Sequence, residues 1–272
     1  LFYMITSHVE PYTVEAVRQQ TYYELKTVNI PDTVTHAGIT YNVTSVGNEC
    51  FSECHELSSV TLGNNIKIIK NEAFYNCHSL SSIILGDNVE TIEDGAFYMC
   101  WELRSITLGN NVKSIGGGTF AGCRSLSSIN IPNSIAHIGQ NAFGETSLYN
   151  NPENWENNLL YIENCLISAD QYAYGAIEIR EGTRIIADRA CEGLQYIASI
   201  TIPNTVTSIG ESAFEGCSSL TDVVWNAKNC QATPFRESSF ITSFTFGDSV
   251  EIIPDFSALK CLILKLLMSA IM

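Results

Sequence analysis

A 23-residue interval runs through the middle of the chain and constrains its fold more than any other feature. Phenylalanine recurs at this interval five times, at Phe51, Phe74, Phe97, Phe120 and Phe143. Cysteine follows the first four after three residues and leucine after six, at Cys54, Cys77, Cys100, Cys123, Leu57, Leu80, Leu103 and Leu126. Aliphatic residues recur nine, eleven, fifteen and eighteen residues after each of the first four phenylalanines. A fixed period of about 20–29 residues is typical of a leucine-rich-repeat solenoid.

The same frame continues, with small slips, towards the C-terminus. Cys191, Phe214 and Phe235 occupy the phenylalanine position of later repeats, and a degenerate repeat is predicted from Ser168. Counting 23 residues on from Phe235 leads to Ala258, so residues 261–272 are interpreted as a degenerate last repeat rather than a membrane tail. Each unit is too small to enclose a core of its own, and it buries its apolar positions only by stacking on its neighbours.

The pattern within one unit predicts two opposed walls. Positions nine and eleven alternate with polar residues, as in Ser-Val-Thr-Leu at 59–62, which indicates a short half-buried strand that stacks into a parallel sheet. The spacing around phenylalanine and cysteine favours one short helical or 3₁₀ turn per repeat on the opposite wall. Gly-Asn-Asn at 63–65 and 109–111, and Pro-Asn at 132–133 and 203–204, are turn signals. The predicted fold is a right-handed solenoid with parallel strands on one face and helical turns on the other.

Two regions depart from the period. Residues 1–46 are out of frame and contain strand-like runs and a hairpin-like stretch at 35–46, so we predict an N-terminal β cap that covers the open core of the first repeat. Residues 47–272 are predicted to form about ten repeats. Residues 147–176 interrupt that array, and we interpret them as a loop followed by a β-hairpin at 159–169.

Charge and hydropathy exclude several classes of function. Lys and Arg number 14 against 29 Asp and Glu, for a net charge of −15, which argues against nucleic acid as a partner because such binding needs a basic surface. No window reaches 18 apolar residues, so no membrane span is expected in this chain. The first residues show neither the basic nor the apolar region of a signal peptide.

The cysteines and histidines allow more than one interpretation. Cys54-His55 and Cys77-His78 lie one repeat apart and suggest a zinc site, but Trp101 fills the histidine position of the next repeat, which favours a surface position and no metal. The cysteine column is interpreted as buried free thiols rather than disulfides, because identical positions stack with parallel side chains. Three cysteines lie off the column and are predicted to be the more reactive ones: Cys50, Cys165 and Cys230.

No catalytic or cofactor motif emerges from the chain. Five histidines are present, and none lies in a nucleophile-elbow or glycine-rich motif. Gly116-Gly117-Gly118 is not followed by the Lys and Ser/Thr of a phosphate-binding loop. We therefore expect neither a cofactor nor an enzyme, and a hydrolase is the least supported hypothesis.

The repeat unit resembles the BspA-like leucine-rich repeat family. Its nearest matches are the stretches SIGESAFEGCSSLTDV at 208–223 and SITIPNTVTSIG at 199–210, and residues 28–47 look like the family's N-terminal cap. The resemblance implies an extracellular or cell-surface protein of an anaerobic gut or oral bacterium, or of a parasitic protist, with a role in adhesion and protein–protein contact. It implies no catalytic residues.

The binding hypotheses concern two places. A solenoid's exposed sheet is its usual binding surface, although Ser and Thr columns are also common as soluble filler or a structural hydroxyl ladder. The aromatic residues of the insert are the second place, because aromatics anchor interfaces. The candidate residues are Trp155, Tyr161, Tyr172, Ser59, Thr61, Ser82, Ser105, Thr107, Ser128 and Asn130. Adhesion to a host or microbial protein is the favoured function, and glycan or mucin binding is the alternative.

Overall fold

The computed structural model describes residues 1–228, 234–236, 238 and 240–251. These residues form two compact units of parallel β-solenoid, with about eight turns of the solenoid in all and almost no helix. Unit 1 comprises 1–135 and 141–151, and unit 2 comprises 136–140 and the described residues from 152 onward. The solenoid prediction is confirmed. The repeat predicted from Ala258 lies outside the described residues, as does Cys230.

Unit 1 contains twelve strands, one 3₁₀ turn at Gln20–Glu24 and one helix, α1, at Ser147–Asn150. The strands are β1 (Phe2–Ser7), β2 (Thr13–Val17), β3 (Thr27–Asn29), β4 (Thr33–His36), β5 (Ile39–Val46), β6 (Ser59–Thr61), β7 (Ile68–Ile69), β8 (Ser82–Ile84), β9 (Thr91–Ile92), β10 (Ser105–Thr107), β11 (Ser114–Ile115) and β12 (Ser128–Ile129).

The predicted parallel strands lie at the predicted positions. β3 pairs with β6, and β8, β10 and β12 pair in order, with each exposed–buried–exposed triplet turning its central aliphatic residue inward. Ile83 and Ile106, for example, are register partners inside the sheet. Turns follow these strands at Asn64–Asn65 and Asn110–Asn111, as the Gly-Asn-Asn signal predicts.

A second parallel sheet runs along unit 1 in the order β2-β5-β7-β9-β11, with β1 and β4 pairing antiparallel to β2 and β5. The sequence pattern did not predict this sheet. Its strands β7, β9 and β11 are two residues long and hold only one buried residue each, such as Ile92. Such a short element leaves too few alternating positions for a strand signal.

The core of unit 1 is a stack of aromatic rings. Phe51, Phe74, Phe97, Phe120 and Phe143 are fully buried, and consecutive ring centroids lie 5.3–5.7 Å apart with the planes inclined by 6–29°. In unit 2 the ring of Phe235 stacks on that of Phe214 at 5.2 Å. Side chains one period apart therefore lie directly above one another.

The wall that carries phenylalanine and cysteine is not helical, and the prediction of one helical or 3₁₀ turn per repeat is wrong. Backbone hydrogen bonds to the next repeat alternate there with hydrogen bonds within the same repeat. The N–H of Phe51 donates to Ala73 O of the next repeat, whereas the N–H of Ser52 donates to Glu49 O of the same repeat. Left-handed residues two positions before and after each phenylalanine make this possible, as at Glu49 (φ 51°) and Glu53 (φ 63°). Stacking thus satisfies backbone groups that a helix would satisfy locally.

The N-terminal residues contribute a distorted first repeat. The ring of Tyr22 stacks on Phe51 at 5.5 Å, and β3 joins the sheet of β6 with Val28 opposite Val60. The hairpin of β4 and β5 turns at Ala37 and Gly38, both left-handed. The spacing from Tyr22 to Phe51 is 29 residues instead of 23, which placed this repeat out of frame. The boundary of a cap at residue 46 stays a prediction.

The described residues of unit 2 contain a 3₁₀ turn at Pro152–Asn154 and ten strands: β13 (His137–Ile138), β14 (Trp155–Glu156), β15 (Leu159–Ile162), β16 (Cys165–Ala169), β17 (Tyr174–Glu178), β18 (Ile185–Ile186), β19 (Tyr196–Ile202), β20 (Ser208–Ile209), β21 (Asp222–Trp225) and β22 (Ser243–Phe246). One sheet has the order β14-β15-β16-β18-β20 and the other β17-β19-β21-β22. Strands β15 and β16 are antiparallel, at the place of the predicted hairpin. From β16 onward the neighbours in each sheet are parallel.

Candidate binding surfaces

The first candidate surface is the solvent-facing side of two parallel sheets of unit 1, β3-β6 and β8-β10-β12, which we together name the outward face. Every predicted residue of this group is exposed there: Ser59, Thr61, Ser82, Ser105, Thr107, Ser128 and Asn130. The columns are in register, with Ser82, Ser105 and Ser128 as partners across three strands. The structure also extends the columns to Thr27 and Asn29, which lie beside Ser59 and Thr61.

The hydroxyls of the outward face are not bonded into a ladder. Within the described part of the chain, the side-chain hydroxyls of Ser82, Ser105 and Ser128 form no hydrogen bond to one another or to a neighbouring residue, although their strands are paired through the backbone. Asn130 differs, because its Oδ1 accepts from the Leu108 N–H at 3.2 Å. The structural-ladder interpretation of the serine column is therefore wrong, and these hydroxyls face solvent.

One large apolar side chain interrupts the outward face. Ile84 on β8 is 72% exposed and pairs in register with Thr107. The column on these strands otherwise carries polar residues, so the surrounding surface is hydrophilic. An isolated exposed aliphatic residue is ordinary on a protein surface. Here it lies on the face that a solenoid uses for contact, which makes it a candidate anchor.

The three predicted aromatic residues of the insert do not form one site. Tyr161 is 3% exposed, its Oη accepts from the Arg180 N–H at 3.1 Å, and the Arg180 guanidinium lies 4.3 Å from its ring centroid. Burial raises the pKa of Tyr161 to about 12. Its role as a docking residue is therefore wrong, because it packs inside the unit. Trp155 is half-buried on β14, and Tyr172 is 68% exposed.

A tyrosine cluster that the sequence analysis only partly found lies on unit 2. Tyr174 and Tyr196 are register partners on β17 and β19 and are 75% and 60% exposed, and Tyr172 lies two residues before Tyr174 in the chain. A groove of about 380 Å³ runs between β17 and the turn at 157–159. The strand-like run from Tyr174 was the available signal, since an exposed first position of a strand places Tyr174 on the outer side, whereas Tyr172 lies in the turn before it.

The cysteine column is buried and hydrogen-bonded. The Sγ of Cys77, Cys100 and Cys123 each donates to the carbonyl oxygen of the phenylalanine one repeat earlier, at 3.1–3.2 Å. Ser238 occupies the same position in a later repeat, and its Oγ donates to Phe214 O at 2.9 Å. Every described cysteine is a free thiol, as the column was interpreted. The thiols are small buried donors that link consecutive repeats.

The prediction that off-column cysteines are reactive is wrong for both described examples. Cys50 and Cys165 are completely buried. Burial raises the pKa of Cys165 to about 12, and burial likewise raises the pKa of Cys50. Because the thiolate is the nucleophile, neither side chain is prepared for thiol chemistry.

The histidines suggested for a metal site point away from their cysteines. Cys54 is turned inward, whereas His55 stacks on His78 at 4.5 Å and His78 on Trp101 at 3.9 Å, on the surface. Desolvation and the neighbouring His55 lower the pKa of His78. Among the described residues no three His, Cys, Asp or Glu side chains are grouped as metal ligands. This column is an aromatic stack.

Comparisons with known proteins identify what the chain is similar to. A family model described as the BspA-type leucine-rich repeat region matches residues 33–150 and 170–270 in six copies, leaving 151–169 between the two matches. A leucine-rich repeat protein of T. pallidum is 20% identical over 94% of this chain and 97% of its own, with a TM-score of 0.50. No curated protein matches the chain.

Two further solved structures are similar over most of the chain. A leucine-rich cell-surface protein of Faecalibacterium prausnitzii is 20% identical over 91% of this chain and 93% of its own, with a TM-score of 0.41. The pneumococcal vaccine antigen PcpA is 17% identical over 96% and 84%, with a TM-score of 0.47. In the described part of the chain, no helix has the length and apolar character to cross a membrane.

Proposed function

The chain belongs to the BspA-type leucine-rich repeat family, and from this premise we propose that it is a non-catalytic, extracellular or cell-surface protein that adheres to a host or microbial protein through the outward face. Leucine-rich repeats generally serve as protein-binding scaffolds, which supports the protein-interaction part of the proposal. The adhesive role and the surface location are our inferences.

The exposure of Ile84 carries the proposal. Interfaces concentrate their binding energy in a few apolar or aromatic anchors surrounded by contacts that exclude water. Ile84 has this setting, because Thr107 lies beside it in the same column and Ser82 precedes it on the same strand. The hydroxyls of Thr107 and Ser82 have no hydrogen-bond partner among the residues that the structure describes, and they are available for hydrogen bonds to another protein.

Glycan binding has less support. Protein sites for sugars commonly use an open aromatic ring face as a platform, and no aromatic side chain lies among the eight outward positions from Ser59 to Asn130. The aromatic stacks elsewhere in unit 1 cover their own faces, as Tyr75 and Tyr98 do at 5.6 Å. A glycan array gives the direct comparison between the two functions.

Capture of surface proteins by the immobilised chain tests the proposal. Ile84→Thr restores the polar character of its column and leaves the buried side of β8 unchanged, so the fold should keep its stability within about 0.5 kcal/mol. We expect this variant to lose at least about tenfold in affinity for the captured partner, since a central anchor is worth about 1.4 kcal/mol or more. Equal capture by wild type and Ile84→Thr would show that the partner does not bind through the outward face. Glu211→Gln, at an exposed position in unit 2, is the control.

A further inference from the structure

Strand β17 ends its sheet and leaves one edge of its backbone without a strand partner among the described residues. The Ile179 N–H donates to Thr201 O at 3.0 Å, so Ile177 and Ile179 direct their backbone groups towards β19. In a parallel pair, successive residues direct these groups to opposite sides. The N–H and C=O of Ala176 and Glu178 therefore point to the open edge, which is a template for an added strand.

The groove described above lies along this same edge. Its volume of about 380 Å³ is bounded by the 157–159 turn on one side and by Tyr174 and Ala176–Glu178 on the other. Ligand sites in proteins have volumes of about 300–1,000 Å³. Space for a short segment of chain thus lies beside unpaired backbone donors and acceptors.

The side chains around the groove define the chemistry of the segment. Tyr174 lies at one end of β17, where it is the register partner of the likewise exposed Tyr196, and Glu178 lies at the other end. The Glu178 carboxylate forms no ion pair with any residue that the structure describes. Tyrosine faces attract apolar and cationic side chains, and the chain as a whole carries a net charge of −15. A second copy of this acidic chain is disfavoured by the same charge.

We propose that β17 binds an extended, lysine- or arginine-bearing segment of a protein partner as an additional strand. Main-chain hydrogen bonds to Ala176 and Glu178 give the affinity, and the tyrosines and Glu178 select the side chains. This inference rests on the proposed protein-binding function and names a second place on the molecule where a partner engages. The turn that walls the groove lies within 151–169, the stretch between the two matches of the family model.

The test uses the full chain and a defined probe, an acetylated and amidated hexapeptide of alternating valine and lysine. Hydrogen exchange of the Ala176 and Glu178 amides, measured by NMR, should slow at least about fivefold on saturation, because an added strand protects both. The same peptide N-methylated at every second residue should give no protection when its methyl groups face β17. A hexapeptide of valine and glutamate should bind at least about tenfold more weakly.

Two variants separate edge pairing from general charge attraction. Ala176→Pro removes an edge donor at a place where proline is tolerated and should abolish protection at Glu178. Glu178→Lys, at an exposed site, should weaken binding about fivefold to tenfold, whereas Glu102→Lys in unit 1 should change it less than about twofold. Circular dichroism checks folding, and Glu178→Lys keeps the test decisive if Ala176→Pro unfolds the strand.

Several results would overturn the inference. Peptide binding without protection of these amides means attraction by charge alone, and protection by an N-acetylglucosamine trimer instead of the peptide means a glycan site. The outcome is separable from that of the proposed function: partner capture that depends on Ile84 but is unaffected by Ala176→Pro and Glu178→Lys retains the outward face and removes the β17 site. If partner capture does not depend on Ile84 but the peptide still binds, the β17 site is retained and the outward face is removed.

Discussion

Replacing Phe97 by alanine removes the ring at the centre of the stack in unit 1. The side chain is fully buried, with the Phe74 ring centroid 5.3 Å away on one side and the Phe120 centroid 5.7 Å away on the other. Truncating a buried phenylalanine costs about 3–5 kcal/mol. Because two stacked pairs are lost, each worth about 0.5–1.5 kcal/mol beyond area burial, we expect the upper part of that range.

A urea melt followed by circular dichroism measures the cost. With a slope of about 2 kcal/mol per molar urea, a loss of 4–5 kcal/mol lowers the midpoint for unit 1 by about 2 M. Ser105→Ala on β10 is the matched control, because its side chain is exposed and the expected change is within about 0.5 kcal/mol. Similar shifts from Phe97→Ala and Ser105→Ala would refute the assignment of the inner and outer faces.

Three further predictions follow from the wall that carries the cysteines. The eight described cysteines should resist thiol labelling of the native protein at pH 8, as residue-resolved mass spectrometry would show. The free energy of unfolding should fall as pH rises above about 8.5, by about 1.4 kcal/mol per pH unit for each buried thiol, because unfolded thiols lose protons there, whereas buried thiols such as Cys217, with a pKa raised to about 12, keep theirs. Stability that does not change between pH 8.5 and 11 would contradict this. Cys217→Ser should cost less than Cys217→Ala, since only serine keeps a bond to Cys191 O, now 3.2 Å from Sγ, and equal melts would show that the bond is irrelevant. Glu145→Gly should stabilise the fold by up to about 1 kcal/mol, because Glu145 has φ 58°, whereas Glu145→Ala should give no gain; a loss with glycine in thermal melts would count against strain at this position.

The parts of the fold that repeat at a strict 23-residue interval could be predicted from the sequence. Phe74 and Phe97 share a phase and an environment, so their pattern gives both the strand positions and the inward direction of the side chains. The Tyr22 ring takes the stacking position of phenylalanine in the first repeat. The hairpin of β4 and β5 lengthens that repeat, so the 23-residue interval cannot be recognised there. An interval can be recognised only where nothing is inserted into it.

The conformation of the phenylalanine wall could not be read from local propensity. Its left-handed residues include Glu49 and Glu53, which have no preference for that conformation, and hydrogen bonds to the next repeat hold them there. The signal lay in comparing repeats, because the equivalent positions of other repeats hold Gly95, Gly118 and Gly122. The pattern of a single repeat is compatible with either a helix or a turn, and the hydrogen bonds between repeats decide that the backbone forms a turn.

The sequence predicted which side chains of the candidate surfaces lie on the outer side of a strand, but not which of them another element covers. Outward positions of a strand follow from alternation, so Ser59 to Asn130 were placed correctly. Alternation does not show which neighbouring element covers a side chain, and Tyr161 is covered by Arg180 from a different strand–loop segment. The open edge of β17 depends on which strands pair, and that is a property of the assembled sheet.

Site-specific photo-cross-linking tests the central claim, that the outward face is where a protein partner binds. Benzoylphenylalanine placed at Thr107, beside Ile84, should cross-link the captured partner, and the same residue at Glu93, on the other side of the repeat, should not. Cross-links from Glu93 with none from Thr107 would contradict the account.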